Sequence, residues 1–565
     1  MIAKEHYLYL PHRKEFKMTY FDLGTYSFPV TTMSKEAQLW FDRGLMWIYG
    51  YNHSEAEYCF EQSLKYDPKC AMSHWGTAYA VGPNYNKTWS DFPDEEKQIC
   101  IEKSALSIQL AKKTQGLKPV EMALINALGI RYPSSYAEED FTPWNDSYAD
   151  EMRKVHQKFK EELDVCALFA EALMNRTPWQ LWEVKTGAVK DGADTLEAIS
   201  VLETAFVDLE PKGAYRHPGL LHMYIHLMEM SPHPEKALKA GDALTGLVPD
   251  AGHLQHMATH IDVLCGHYEN VVRRNHNASV ADKKYLKLRG ADTFYTAYVC
   301  HNFHFKVYGA MFLGQFKPAY EAALELQELL TPEIVRASAD WLESYYPMMF
   351  HVFVRFGMWN RLKTIEAPSD SDLFCFTNAV LCYAKSIAYA ATGDVNEAEN
   401  FKNKFLVAKK NVPETRFLFN NSCQDILAVA GEMLEGELSY RKQDFDEGFA
   451  RLRNAIRLDD ELPYEEPWGW MQPARHALGA LLLEQGKISE AEAVYRADLG
   501  IDGVLGRPCQ NPDNVWSLHG LHECLQRSDK LEEAKFIKQR LDLANARADR
   551  PIFASCFCRL SHTKI

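Results

Sequence analysis

Seven of the chain's 21 histidines fall between Arg216 and His260: His217, His222, His226, His233, His253, His256 and His260. Neutral imidazole is the commonest side-chain ligand of zinc, copper and iron, so clustering on this scale points to transition-metal chemistry. In His222-Met-Tyr-Ile-His226-Leu-Met-Glu229 the two histidines are four apart and the glutamate three further on, which puts all three on one helix face. In His253-Leu-Gln-His256-Met-Ala-Thr-His260 three more histidines share a face. His222, His226, His256 and His260 are the expected ligands of one or two divalent ions, with Glu229 as a further ligand or the general base of a catalytic site. Iron, copper and zinc all suit such a set, because affinity order does not decide which metal is loaded. His217, His233 and His276 read as loop or helix-end residues outside the ligand set.

Facing helices are needed to bring two such stripes together, and the sequence supplies them as repeats. Trp40, Gly44, Trp47, Ala56, Phe60 and Pro68 follow the skeleton of a helical repeat of about 34 residues. Gly44 and Ala56 are small where two helices cross, the aromatic residues fill the space between the helices, and Pro68 cannot continue the second helix. The same grammar returns at Gly479, Gly486, Ala491 and Tyr495, and again at Trp516, Gly520 and Ala534. Gly314-Gln315-Phe316 with Ala319, and Gly393-Asp394-Val395 with Ala398, read as turns opening further apolar-periodic helices. Strand signals are sparse, so the chain is expected to be all-α.

On these residues the chain resembles the tetratricopeptide-repeat (TPR) superfamily, and within it long bacterial and fungal TPR proteins with histidine-rich helix motifs. The matching text spans Phe41 to Gly44 through Tyr51-Asn52-His53, Trp75-Gly76 through Asn84, Glu171 to Asn175 through Trp179 and Trp182, and His217-Pro218-Gly219. It continues with the two histidine helices, His301-Asn302, Tyr464 to Pro467, and Cys556-Phe-Cys558. The resemblance implies a TPR-like α-α superhelix, a right-handed solenoid of helical hairpins with a concave groove.

With Pro249 as a repeat's terminal proline and Gly266 at the next inter-helix turn, His222 and His256 take equivalent positions, as do His226 and His260. TPR helices present those positions to the concave surface, and helices packed roughly 8–10 Å apart let imidazoles from both sides share an ion. The same register, set on Gly314, places His304 and Tyr308 next in line. His53, His253, His301, His304, Tyr308 and Glu466 are therefore the expected second shell or substrate contacts. Glu466 belongs to a cluster with Glu465, Trp468, Trp470 and Arg475 that could face the groove.

Three interruptions divide the array: Arg131 to Asp150, Glu366 to Asp372 and Gly500 to Asn514, all rich in loop-forming residues. The expected organisation is an N-terminal extension (1–30), a histidine-bearing TPR-like solenoid (31–365), a second solenoid (373–545) and a tail (546–565). One continuous superhelix is equally allowed.

A formal net charge of −15 repels phosphate backbones and anionic membrane surfaces, so nucleic acid is an unexpected partner. No apolar stretch is long enough to span a bilayer, and thirteen scattered cysteines suit a reducing compartment, so the cytoplasm is the expected location. No Gly-x-Ser-x-Gly, His-Glu-x-x-His, Walker or Rossmann pattern occurs. Two functions remain: a metal-dependent enzyme acting on a small molecule, oxidative or hydrolytic, or a TPR protein-interaction scaffold holding a peptide in its groove.

Overall fold

The computed structural model describes residues 20–559, so most of the expected N-terminal extension and the last six residues of the expected tail lie outside them. The described chain is an array of helical hairpins, and the only strands among the described residues are the two-residue segments Phe417–Leu418 and Asn421–Ser422. Hairpins form from Lys35–Tyr49 with His53–Tyr66, Tyr268–Arg289 with Tyr295–Phe312, Cys375–Ala391 with Val395–Lys410, Cys423–Arg441 with Phe445–Asp460, Ala474–Glu484 with Ile488–Asp498, and Val515–Arg527 with Leu531–Asn545.

Local chemistry sets the helix starts. Asn52, Asp394, Asp444 and Asn514 each turn a side-chain oxygen back to a first-turn N–H, satisfying one of the orphan donors there. Hairpin turns at Gly314, Gly393 and Gly486 sit at positive φ, where glycine carries no Cβ penalty. Packing between hairpins follows the repeat grammar. A Cβ on Gly44 or Gly76 would lie 2.6 or 2.5 Å from Phe60, and one on Gly479 or Gly520 would lie 2.4 or 2.2 Å from Tyr495. Two glycines from successive hairpins thus clamp one ring, once near each end of the array.

The segment expected as a loop from Arg131 to Asp150 ends earlier than predicted, because helix Thr142–Phe159 begins there. Pro143 sits in its first turn, where a missing N–H costs nothing. Residues 546–559 of the expected tail are pinned: Ser555 bonds Tyr495 through its hydroxyl at 2.6 Å, and its carbonyl accepts from buried Arg355 at 2.5 Å. Cys556 and Cys558 are joined to each other as a disulfide.

The later hairpins return onto the first half. Trp516 Nε1 donates to Met311 O at 2.7 Å, and the φ-positive Gly266 abuts the Pro512 carbonyl. One continuous apolar core runs through both halves, and the histidines lie inside it. No helix among the described residues is long and apolar enough to cross a membrane.

Candidate metal centre

Helix Pro218–Glu229 carries His222, His226 and Glu229 and is buried along its whole length. His217 caps it: its Nδ1 accepts from Leu220 N at 3.1 Å, while its Nε2 lies 3.3 Å from Asp164. The second stripe is carried by two short helices, Gly252–His256 and Ala258–Leu264, rather than one. They join at Met257, where the His260 N–H reaches back only three residues to the Met257 carbonyl.

The structure gathers six imidazoles into two triads, His222 with His226 and His253, and His256 with His260 and His301. Ligand atoms within each triad lie within 4.8 Å of one another. All six residues are at most 5% exposed, so they sit in the interior and not on an open groove wall. Each half of the four-histidine set expected as ligands gains one member expected only as second shell: His253 in the first triad, His301 in the second. His226 and His260 do face each other, with ring centroids 6.0 Å apart, but His222 pairs with His253.

His304 and Tyr308 do not continue the line. His304 Nε2 points to Met471 Sδ at 2.8 Å with its ring edge-on to Tyr345, and Tyr308 packs on Phe312. The cause is periodicity. Counting back from Gly314 misses by about one turn: in helix Tyr295–Phe312, which runs for 18 residues, it is His301, three residues before His304, whose ring meets His256. His53 lies behind Tyr51, 6.4 Å between ring centroids, and belongs to neither triad.

The outer nitrogens are tied in a pattern that fixes the tautomers. His222 Nδ1 donates to Tyr49 O at 2.6 Å, His226 Nδ1 to Glu229 Oε1 at 2.9 Å, and His256 Nδ1 to Asn275 Oδ1 at 2.8 Å. Asn275 is itself oriented by its amide, which donates to Val271 O. Each of these rings therefore turns a bare Nε2 inward, the arrangement that outer-shell carbonyls and carboxylates impose on metal-ligating histidines. Inside, His222 Nε2 lies 3.2 Å from His253 Nε2, and His256 Nε2 lies 2.9 Å from His260 Nε2. Metal–nitrogen bonds of about 2.0–2.1 Å set two ligands about 2.9 Å apart at a right angle and about 3.3 Å apart in a tetrahedron. The same distances suit an imidazole hydrogen bond. His226 Nε2 and His253 Nδ1 are buried with no hydrogen-bond partner among the described residues.

Burial holds His222, His253, His256 and His301 well below the ordinary imidazole range, and the neighbouring imidazoles add to it. They are neutral, the ligand form. His260 is the exception. Burial opposes its charge, but Glu229 and Glu466 overcome it and push the ring up to about 9. Its Nδ1 sits 2.9 Å from Glu229 Oε2 and 2.7 Å from Glu466 Oε2. Burial raises Glu466 to about 7, whereas for Glu229 burial is outweighed by His226 and His260, which hold the carboxyl below its usual range. Oε1 of Glu229 accepts from His226 and its Oε2 faces His260, which places the carboxylate between the two rings.

Of the acidic and aromatic cluster around it, only Glu466 reaches the histidines. Arg475 makes a two-pronged pair with Asp460, Glu465 accepts from Asn420 N, and Trp468 donates to the Asp459 carbonyl.

No family model matches the sequence, and no curated protein matches it. Among solved structures the chain is similar to Ypp1, with 9% identity, 93% of this chain and 89% of that chain covered, and a TM-score of 0.39. It is similar also to the Naa15/Naa10 assembly bound to HypK-THB, with 11% identity, 91% and 74% covered, and a TM-score of 0.21. The APC/C hetero-tetramer Cut9-Hcn1 is matched at 12% identity over 92% and 96%, with a TM-score of 0.20.

Several contacts escaped sequence reasoning. Tyr51 stacks on His226 and His253, Trp179 sets its edge on His226, and Phe419 stacks on His301 at 5.3 Å. All three are bulky residues at positive φ, a conformation that local sequence does not announce and that clusters at functional sites. Trp179 and Tyr51 do lie in the segments that carry the family resemblance; Phe419 carries no signal.

Proposed function

We propose that this chain is a metal-binding TPR-like protein whose buried histidine triads hold one or two divalent transition ions. The observation that carries the reading is the tautomer pattern: Tyr49, Glu229 and Asn275 tie the outer nitrogens of His222, His226 and His256 and leave three Nε2 atoms converging inward. An all-imidazole set with carboxylates behind it suits zinc, copper or iron. A metal-dependent reaction on a small molecule would take place at these triads, with Glu229 and Glu466 acting through the rings they orient.

Elemental analysis of the purified protein tests this. The parent is expected to carry near-stoichiometric metal, lost in His222→Ala and in His256→Ala. Metal-free parent protein that takes up no zinc, copper or iron on dialysis would overturn the reading.

A second reading, a protein-interaction scaffold without catalysis, is favoured by the repeat architecture itself, since stacked helical hairpins present extended surfaces suited to peptides and protein partners. In that reading the histidines are a hydrogen-bonded polar core, and the binding surface lies elsewhere, because the imidazoles are shut off from solvent. Metal-free parent protein, with both alanine variants losing stability because a buried, hydrogen-bonded ring is removed, would favour it.

A further inference from the structure

A cavity of about 610 Å³ adjoins the triads, a size within the roughly 300–1,000 Å³ usual for small-molecule sites. Its walls come from parts of the chain far apart in sequence. Trp179, Phe294, Trp341, Tyr345, Phe419 and Tyr464 all line it. Trp179 and Phe419 form the partition on the histidine side. Their rings meet edge to face at 5.1 Å, and behind them lie His226 and His301 respectively.

Both partition residues hold positive φ, +58° at Trp179 and +50° at Phe419. A tryptophan and a phenylalanine keep such backbones only where the surroundings over-determine them, and such strain collects at ligand clamps. The charges around the cavity are already answered: Asp91 accepts from Thr88, and Glu183 pairs with Lys190. Two polar atoms are not. The Thr293 hydroxyl and the Asn86 Oδ1 belong to lining residues, are buried, and have no hydrogen-bond partner among the described residues; of the two, the hydroxyl can both donate and accept.

We propose that this cavity binds an uncharged aromatic small molecule carrying one hydrogen-bonding substituent, its ring stacked against Trp179 and Phe419 and its polar group on Thr293. Aromatic faces attract a planar ring in offset or edge-to-face contact, and an interior without a free charge gives an ion nothing to replace its water. A ligand seated there is one aromatic layer from the imidazoles. That proximity acquires chemical meaning only through the metal reading; the cavity's occupancy does not depend on it.

Calorimetric titration of the full chain with 2-naphthol tests the proposal. One equivalent is expected to bind. Ala297→Trp, which fills the cavity from its lining, should weaken binding at least tenfold without altering metal content, and Thr293→Val should weaken it severalfold. Should Ala297→Trp fail to fold, Trp341→Ala removes one aromatic wall of the cavity at a side chain already 44% exposed and should weaken binding at least fivefold. No heat of binding up to millimolar naphthol, or equal affinity in the folded variants, overturns the proposal. Naphthol binding that responds to these variants in a protein shown to take up no metal would retain the cavity and remove the metal reading alone.

Discussion

Glu229 stands between His226 and His260, giving Oε1 to Nδ1 of the first and Oε2 to Nδ1 of the second, each at 2.9 Å. Because His226 belongs to one triad and His260 to the other, a single buried carboxylate couples the two. The hydrogen bond fixes the tautomer and rotation of His226, and the ion pair holds the charge on His260, so a change at Glu229 is felt on both sides.

Glu229→Gln keeps the shape but loses the charge and one acceptor oxygen, so one of the two imidazoles loses its orienting partner. Outer-shell changes of this kind weaken metal binding by about 10–100-fold. Metal titration with a competing chelator is expected to show that loss with the number of ions at saturation unchanged. A variant that binds as tightly as the parent would mean that Glu229 does not orient the ligands.

The position of His253 and His256 depends on a glycine. Gly252 begins their helix, and a Cβ there would lie 1.9 Å from Asp282 Oδ1. Gly252→Ala must therefore displace either the carboxylate, which Tyr295 and Asn302 hold, or the helix. Overpacking of this sort costs about 1–3 kcal/mol. A lowered midpoint in thermal unfolding and a weakened metal affinity are expected together, since the displaced helix carries one histidine of each triad.

Asp282 also sets a pH dependence. Burial pushes its carboxyl up to about 7, against the hydrogen bonds from Asn302 and Tyr295 that pull the other way. An acid whose folded pKa lies above its unfolded value of about 3.9 keeps its proton in the folded state. Its stabilising contribution is complete below about pH 4 and is lost as pH rises to 7, by up to about 4 kcal/mol. Asp282→Asn removes that titration, and the unpartnered Oδ1 of Asn302 can accept from the new amide once its own amide turns over. Chemical denaturation of metal-free protein across pH 4–7 should show the parent losing stability relative to the variant as pH rises. Parallel curves would refute it.

What the sequence made legible were the features that repeat at short range. Gly44 with Phe60, and Gly479 and Gly520 with Tyr495, are glycine-to-ring spacings dictated by helices crossing closely, and the structure has those clamps. The helical stripe of His222, His226 and Glu229 follows from the 3.6-residue turn alone. Legibility stopped where the period broke. The helices carrying the histidines differ in length, five and seven residues for Gly252–His256 and Ala258–Leu264 against 18 for Tyr295–Phe312, and His301 and not His304 meets His256. Asn275 and Phe419 reach the triads through the way distant segments meet, which spacing along the chain does not encode, whereas its sequence cluster singles out Glu466 without matching it to His260.

Tyr51 joins the first hairpin to the histidines and separates ring packing from hydrogen bonding. It sits at φ +53°, with its ring centroid 4.6 Å from His222, 5.6 Å from His253 and 5.9 Å from His226. Among the described residues its hydroxyl donates only to the Met223 sulfur, at 3.5 Å, a weak acceptor. Tyr51→Phe should therefore leave stability within about 0.5 kcal/mol of the parent, with metal affinity unchanged. Tyr51→Ala keeps the unfavourable backbone while opening a cavity beside three imidazoles, and should cost about 3–5 kcal/mol. The lost ring would also free His222, His226 and His253 to rotate, so the metal affinity of a still-folded alanine variant should fall. If Tyr51→Phe proved as damaging as Tyr51→Ala, the hydroxyl and not the ring would be what holds the first triad.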